Sequence, residues 1–230
     1  VPVLKFNHQL ARLKFFVRAG SESAAGYKYE GSNWVERKST DGQDKTLGMQ
    51  VTKITLKDMV NVVDMDLATT TSARNGASTA PFVVCSKDAD NKNKLDPDKG
   101  LITPVVPKYP YGHENIPAEG DPDAKGTQVG EPVMFFPNGN ISLSIDLKQY
   151  VEDTKDETDG DKITYKEVEK LDTPLIIDQA KISKDVKEFK AGASYNVYIT
   201  IYGFEKIEVT AVLTAWEDGG DIETDIEDGK

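Results

Sequence analysis

The sequence predicts an all-β fold, an antiparallel β-sandwich, on three observations. Apolar residues recur with period two through most of the apolar segments. Gly, Pro and Asn punctuate the chain between those segments. No amphipathic helical pattern runs longer than two turns. Many short strands separated by turn residues make a sandwich.

Taken in order, the elements read as follows. Ala11, Leu13, Phe15 and Val17 share one face of the first strand, and Arg12, Lys14 and Arg18 share the other with Phe16, until Gly20-Ser21 ends the run. Trp34-Val35 is a short second run before the turn Ser39-Thr40-Asp41-Gly42. Val51 to Leu56 alternates, with Thr52, Ile54 and Leu56 on one side, and Val60 to Leu67 reads as a strand or bend. Phe82 to Cys85 is a short apolar strand. Residues 86–130 hold six of the eleven prolines, with many Asp and Lys, and read as a long loop insertion.

Val133 to Pro137 is a strand, Asn138-Gly139-Asn140 reads as a hairpin turn, and Ile141, Leu143, Ile145 and Leu147 point inward from the return strand. Residues 152–162 read as an acidic solvated loop, Leu175 to Ile177 as a short strand, and Lys181 to Phe189 has room for one helical turn. Tyr195, Val197, Ile199 and Ile201 then run to a turn at Gly203 to Lys206, and Ile207, Val209, Ala211 and Leu213 return; this is the clearest hairpin in the chain. The domain reading is one sandwich over 1–216, with 86–130 as its insertion, and a tail over 217–230.

Composition bounds the partners. The chain has 230 residues, with 28 Lys and Arg against 39 Asp and Glu, a net charge of −11. An acidic surface repels nucleic acid and anionic lipid, so no nucleic-acid partner is expected. No unbroken apolar run exceeds four residues, as at Val133 to Phe136, where a spanning helix needs about 20. The sequence opens at Val1 without a signal segment and reads as a trimmed chain.

Nothing in the pattern carries catalysis. Cys85 is the only cysteine and sits among apolar neighbours, which makes it a buried thiol. His8 and His113 are the only histidines. Phosphate-loop, dinucleotide, zinc-protease and nucleophile-elbow motifs are absent. The expectation is no enzyme, no catalytic residue, no metal and no cofactor. Asp156 to Glu167 has the length of a calcium loop, but its sixth position is Asp161 where that turn needs Gly. Asp88-Ala89-Asp90-Asn91-Lys92 starts a similar run and breaks it with Lys92. Tyr109 and Tyr111, with Trp34, are the candidate ligand-binding residues, as a sugar-stacking platform that also takes in His113; the competing reading is an aromatic pin for the loop. From Glu217 to Lys230 seven acidic residues face one basic residue, yet Ile222, Thr224 and Ile226 alternate with Glu223 and Asp225. That tail is a candidate donor strand for another molecule's sheet edge.

Three stretches resemble the fimbrillin-like family, the type V pilin subunits of Bacteroidetes-type bacteria. Phe6-Asn7-His8-Gln9-Leu10-Ala11-Arg12-Leu13-Lys14-Phe15 is similar to one of its strands. Gly130 to Pro137, with Ile141 to Leu147, is similar to an apolar strand closing on Pro and its successor. Phe189 to Val197, leading to Ile207-Glu208-Val209 and Trp216-Glu217-Asp218-Gly219, is similar to the family's F-x-A-G-x-x-Y strand and its C-terminal end. The resemblance places this chain mainly at the family's C-terminal half. It implies a transthyretin-like sandwich and export as a lipoprotein via the outer membrane, with any membrane contact made through a lipid anchor on the precursor. It further implies a place in a cell-surface fimbrium, where an N-terminal strand is removed and a strand of another pilin subunit fills the groove. The expected function is a structural or adhesive pilus subunit whose partners are other pilin subunits. The alternative is a cell-surface module that binds a glycan or a host protein.

Overall fold

A computed structural model of the chain describes residues 9–60, 63–66, 71–74, 79–86, 105–117, 124–137, 139–156, 162–182 and 187–214. The strands among them are β1 (Ala11–Ala19), β2 (Tyr27–Glu30), β3 (Asn33–Glu36), β4 (Gln50–Val60), β5 (Val63–Asp66), β6 (Thr71–Arg74), β7 (Thr79–Ser86), β8 (Thr127–Phe135), β9 (Ile141–Asp156), β10 (Lys162–Ile177), β11 (Ser194–Ile201) and β12 (Ile207–Thr214). A front sheet is ordered β12-β11-β1-β8 and a back sheet β10-β9-β4-β7, with β2-β3 and β5-β6 as separate hairpins. The two large sheets pack as a sandwich around one core, so the predicted fold class stands. The donor-strand candidates Ile222, Thr224 and Ile226, Trp216, His8 and the Asp88–Lys92 run lie outside the described residues.

Period two puts the core in place. Leu13, Val17, Tyr195, Val197, Ile199 and Ile201 are fully buried from the front sheet, against Ile54, Leu56, Ile145 and Leu147 of the back sheet. Each such side chain contributes roughly 1.5–3 kcal/mol of burial. Tyr195 is also anchored by its hydroxyl, which accepts from the Lys190 N–H at 2.8 Å. Phe189 packs edge-on to Tyr195 and to Phe135, with centroids 4.9 and 5.2 Å away. The F-x-A-G-x-x-Y stretch is therefore a core corner: two aromatics pack together around a turn in which Gly192 takes φ 74° and donates to the Leu10 carbonyl.

The structure departs from the sequence reading in several places. One front-sheet pair is parallel: β1 lies along β11, from Arg12 opposite Ser194 to Ala19 opposite Ile201. Every other strand pair among the described residues is antiparallel. Second, Asn138-Gly139-Asn140 closes no hairpin. β8 pairs with β1 in the front sheet and β9 with β4 and β10 in the back sheet, so this turn arches between layers. Turn residues fix a local reversal, not the sheet that the next strand joins. Third, residues 152–156 and 162 onward are paired strand rather than loop, and Leu175–Ile177 is only the end of β10. Cross-strand ion pairs such as Lys148–Glu167 (2.7 Å) and Lys166–Asp153 (2.7 Å) let charged residues occupy this exposed ladder. Glu167, the last position of the calcium-loop-like run, is one of those partners. Fourth, Thr52 is an extra residue in β4 between Val51 opposite Leu147 and Lys53 opposite Asp146. The bulge shifts the inward set to Val51, Ile54 and Leu56. Finally, β2 precedes β3 as a hairpin closed by Gly31-Ser32, both at positive φ.

The insertion ends earlier than expected, since β8 starts at Thr127. Its 105–117 segment laces the sheets together. Val105 exchanges two hydrogen bonds with Val51 of β4 (2.9 and 3.1 Å), and the Tyr111 N–H donates to the Ala19 carbonyl of β1 at 2.6 Å. A 3-10 turn at Gln179–Lys181 ends where the stretch expected to hold a helical turn begins, and residues 183–186 of that stretch lie outside the described residues.

Candidate functional site

Four strands end the two sheets, and they differ in how their edges are guarded. An unguarded edge offers a row of unpaired N–H and C=O groups to any incoming strand. β10 carries Lys162, Lys166, Glu167, Glu169, Lys170 and Asp172, two bulges and Pro174. β7 carries Pro81 and irregular pairing, and β8 carries Glu131, Pro132 and a bulge. β7 and β8 also close on each other: Gly130 takes φ 66°, and a Cβ there would overlap the Val84 carbonyl oxygen. β12 has none of these devices. Its sequence IEVTAVLT holds one charge, its pairing with β11 is unbroken, and Val212 and Leu213 are 45% and 43% exposed. No strand among the described residues pairs with its outer side.

A groove runs along the outer face beside this edge. It encloses about 860 Å³. Its floor comes from even-numbered positions of β11 and β12, Asn196, Tyr198, Thr210, Val212 and Thr214, which period two turns away from the core. The Arg18 guanidinium lies between two rings, 3.8 Å from the centroid of Tyr111 and 4.2 Å from that of Tyr198. Tyr198 in turn stacks on Phe16, its cross-strand partner, at 5.3 Å. Burial lowers the Arg18 pKa, and nearby tyrosines partly oppose that. Lys125 and Lys181 complete the cationic rim.

The sequence-derived platform divides. Trp34 and Tyr109 do come together, with centroids 5.1 Å apart, and Tyr29 and His113 join them. Tyr109 is buried, and the Trp34 indole N–H donates to the Asn115 carbonyl at 3.0 Å. This cluster fastens the β2–β3 hairpin to the 105–117 segment. Tyr111 points elsewhere, over Arg18, and is 55% exposed. Arg18 was legible only as one of three cations on the polar face of β1. Its role depends on Tyr198, 180 positions along the chain, and no local signal reports that.

Two smaller cavities lie among the described residues. One of about 340 Å³ lies at the β8–β9 arch, and one of about 320 Å³ sits between β7 and β8, lined by Met59, Phe82, Pro132 and Met134 among others. Cys85 is buried, and burial pushes its thiol up to about 12, which keeps it protonated and unreactive near neutral pH. No group of metal-ligating side chains occurs among the described residues.

Neither a known protein family nor a curated protein matches the sequence. Among solved structures, a "putative cell adhesion protein" from Bacteroides uniformis ATCC 8492 is similar at 13% identity and a TM-score of 0.40. The match covers 91% of this chain and 52% of that one, so this chain spans about half its length.

Proposed function

We propose that this chain is a structural or adhesive subunit of a cell-surface fimbria that assembles by strand addition between subunits. The observation that carries the reading is the contrast among the sheet edges: three are guarded by charge, proline or bulge, and β12 is bare. A strand laid along β12 satisfies its backbone groups and covers Val212 and Leu213. The tail following β12, with Ile222, Thr224 and Ile226 in strand period, is the candidate donor.

Placing a charge on the bare edge tests this. Leu213→Lys is expected to abolish polymers seen by electron microscopy and light scattering while leaving the folded monomer intact. Wild-type chain that never assembles, or a variant that assembles as well as wild type, rejects β12 as the acceptor. Deleting 217–230 separately tests the donor, since unchanged assembly removes the tail from that role.

A further inference from the structure

We propose that the groove over β11 and β12 binds an acidic oligosaccharide, with a carboxylate or sulfate of the sugar seated on the edge of Arg18. This goes beyond strand addition, because it assigns the outer face of the sheet rather than its edge.

Charge selects the class of ligand. Asp and Glu account for 39 of the 230 residues. Among the fifteen described residues lining the groove none is acidic, while Arg18, Lys125 and Lys181 are cationic, the last with the Asp178 carboxylate 3.8 Å away. A cation-lined hollow on a protein of net charge −11 focuses a local positive potential. The same net charge repels a nucleic acid or an anionic membrane at longer range, which leaves a compact ligand carrying few charges.

Arg18 is held ready for such a group. Its guanidinium carbon lies within 3.8 Å of the Tyr111 ring centroid and 4.2 Å of the Tyr198 centroid, which leaves its edge to a ligand. That edge is the fork that matches a carboxylate or sulfate with two parallel hydrogen bonds. Its Nε is buried and meets no acceptor among the described residues. Side chains already fixed before binding lose little entropy when the ligand arrives.

The remaining lining suits a sugar. Asn196, Thr210 and Thr214 offer amide and hydroxyl groups for ring hydroxyls, and the exposed part of Tyr111 offers an aromatic surface for a sugar ring. A volume of about 860 Å³ lies in the range of ligand sites, roughly 300–1,000 Å³.

The test is calorimetric titration of the full chain with tetragalacturonate, with a chondroitin sulfate tetrasaccharide, and with carboxyl-reduced tetragalacturonate as the uncharged control. At least one acidic probe is expected to bind with a Kd below about 1 mM. The reduced probe is expected to bind at least ~10-fold more weakly, and affinity to fall with added salt. Arg18→Gln is expected to lower affinity by ~10-fold or more. Lys181→Glu alters a side chain that is 77% exposed and leaves the core untouched, and is expected to lower affinity about threefold. If Arg18→Gln does not fold, Lys181→Glu decides alone.

Three results overturn the proposal: no binding of either acidic probe, equal binding of the reduced probe, or variants that bind as wild type does. A synthetic peptide of residues 217–230 that binds where the saccharides do not assigns the groove to an acidic protein segment and also rejects the proposal. Leu213 does not line the groove, so loss of assembly in Leu213→Lys and loss of saccharide binding in the Arg18 and Lys181 variants are separate outcomes.

Discussion

The two long sides of the sandwich are built on different principles. On the β7–β8 side the sheets are pressed together: Gly130 lies against the Val84 carbonyl, and Pro81 and Pro132 remove donors from the rims. On the β10–β12 side the gap is spanned by a polar contact, in which the Lys170 ammonium donates to the Phe204 carbonyl at 2.8 Å and pairs with Glu205 at 3.2 Å. One side is closed by backbone proximity, and the other keeps a bare strand at its rim. The difference teaches that an open edge here is selective. Among the described residues every sheet edge is guarded except that of β12, the strand that precedes the acidic tail in sequence.

Perturbing each side in turn sharpens this contrast. The largest loss is expected from Gly130→Val, which forces a β-branched residue to positive φ against main chain. It is expected to cost about 3 kcal/mol or more, read as a lower denaturant midpoint.

Alkaline pH attacks the same side through Cys85 in β7. Its folded pKa of about 12 lies above the unfolded value, so the unfolded chain releases its proton first. Stability is therefore full below about pH 9 and falls as pH rises towards 12, with a slope approaching ~1.4 kcal/mol per pH unit. Tyr195, pushed up mainly by burial, adds to the decline at the upper end. Cys85→Ala is expected to flatten the slope between pH 9 and 10, followed by chemical denaturation at each pH.

On the opposite side the effects are small. Lys170→Met is expected to cost about 0.5 kcal/mol, because the partners are largely solvated, and to widen the β10–β12 gap as faster amide exchange in Ile207 to Val209. The smallest change belongs to Leu213→Lys, within about 0.5 kcal/mol of wild type, although it is the variant that should remove assembly. A large stability loss there would mean that β12 is core rather than rim, and the contrast would fail.

The sequence exposes whatever is local. Alternation in Ala11 to Val17, Ile141 to Leu147 and Tyr195 to Ile201 identifies both the strands and their buried faces, since one face of each meets the core. It does not identify partners. Asn138-Gly139-Asn140 has hairpin chemistry and makes an arch, and nothing near β1 announces a parallel neighbour. The charged ladder of β9 and β10 reads as loop because its stabilising pairs, such as Lys148 with Glu167, lie across strands rather than along one. The aromatic cluster was half legible for the same reason: Trp34 and Tyr109 meet, while Tyr111 answers to Arg18.

The parallel union of β1 with β11 has a temporal meaning. Arg12 reaches its hydroxyl partner Ser194 across 182 positions, and the centre of the front sheet joins the first of the described strands to the last but one. Such distant closure is slow and cannot begin before β11 has been made. A nascent chain that has not yet reached β11 therefore holds β1 without its parallel neighbour, with β8 as its partner in the front sheet. The front sheet therefore stays open at its centre until β11 has been made, however early β1 is complete.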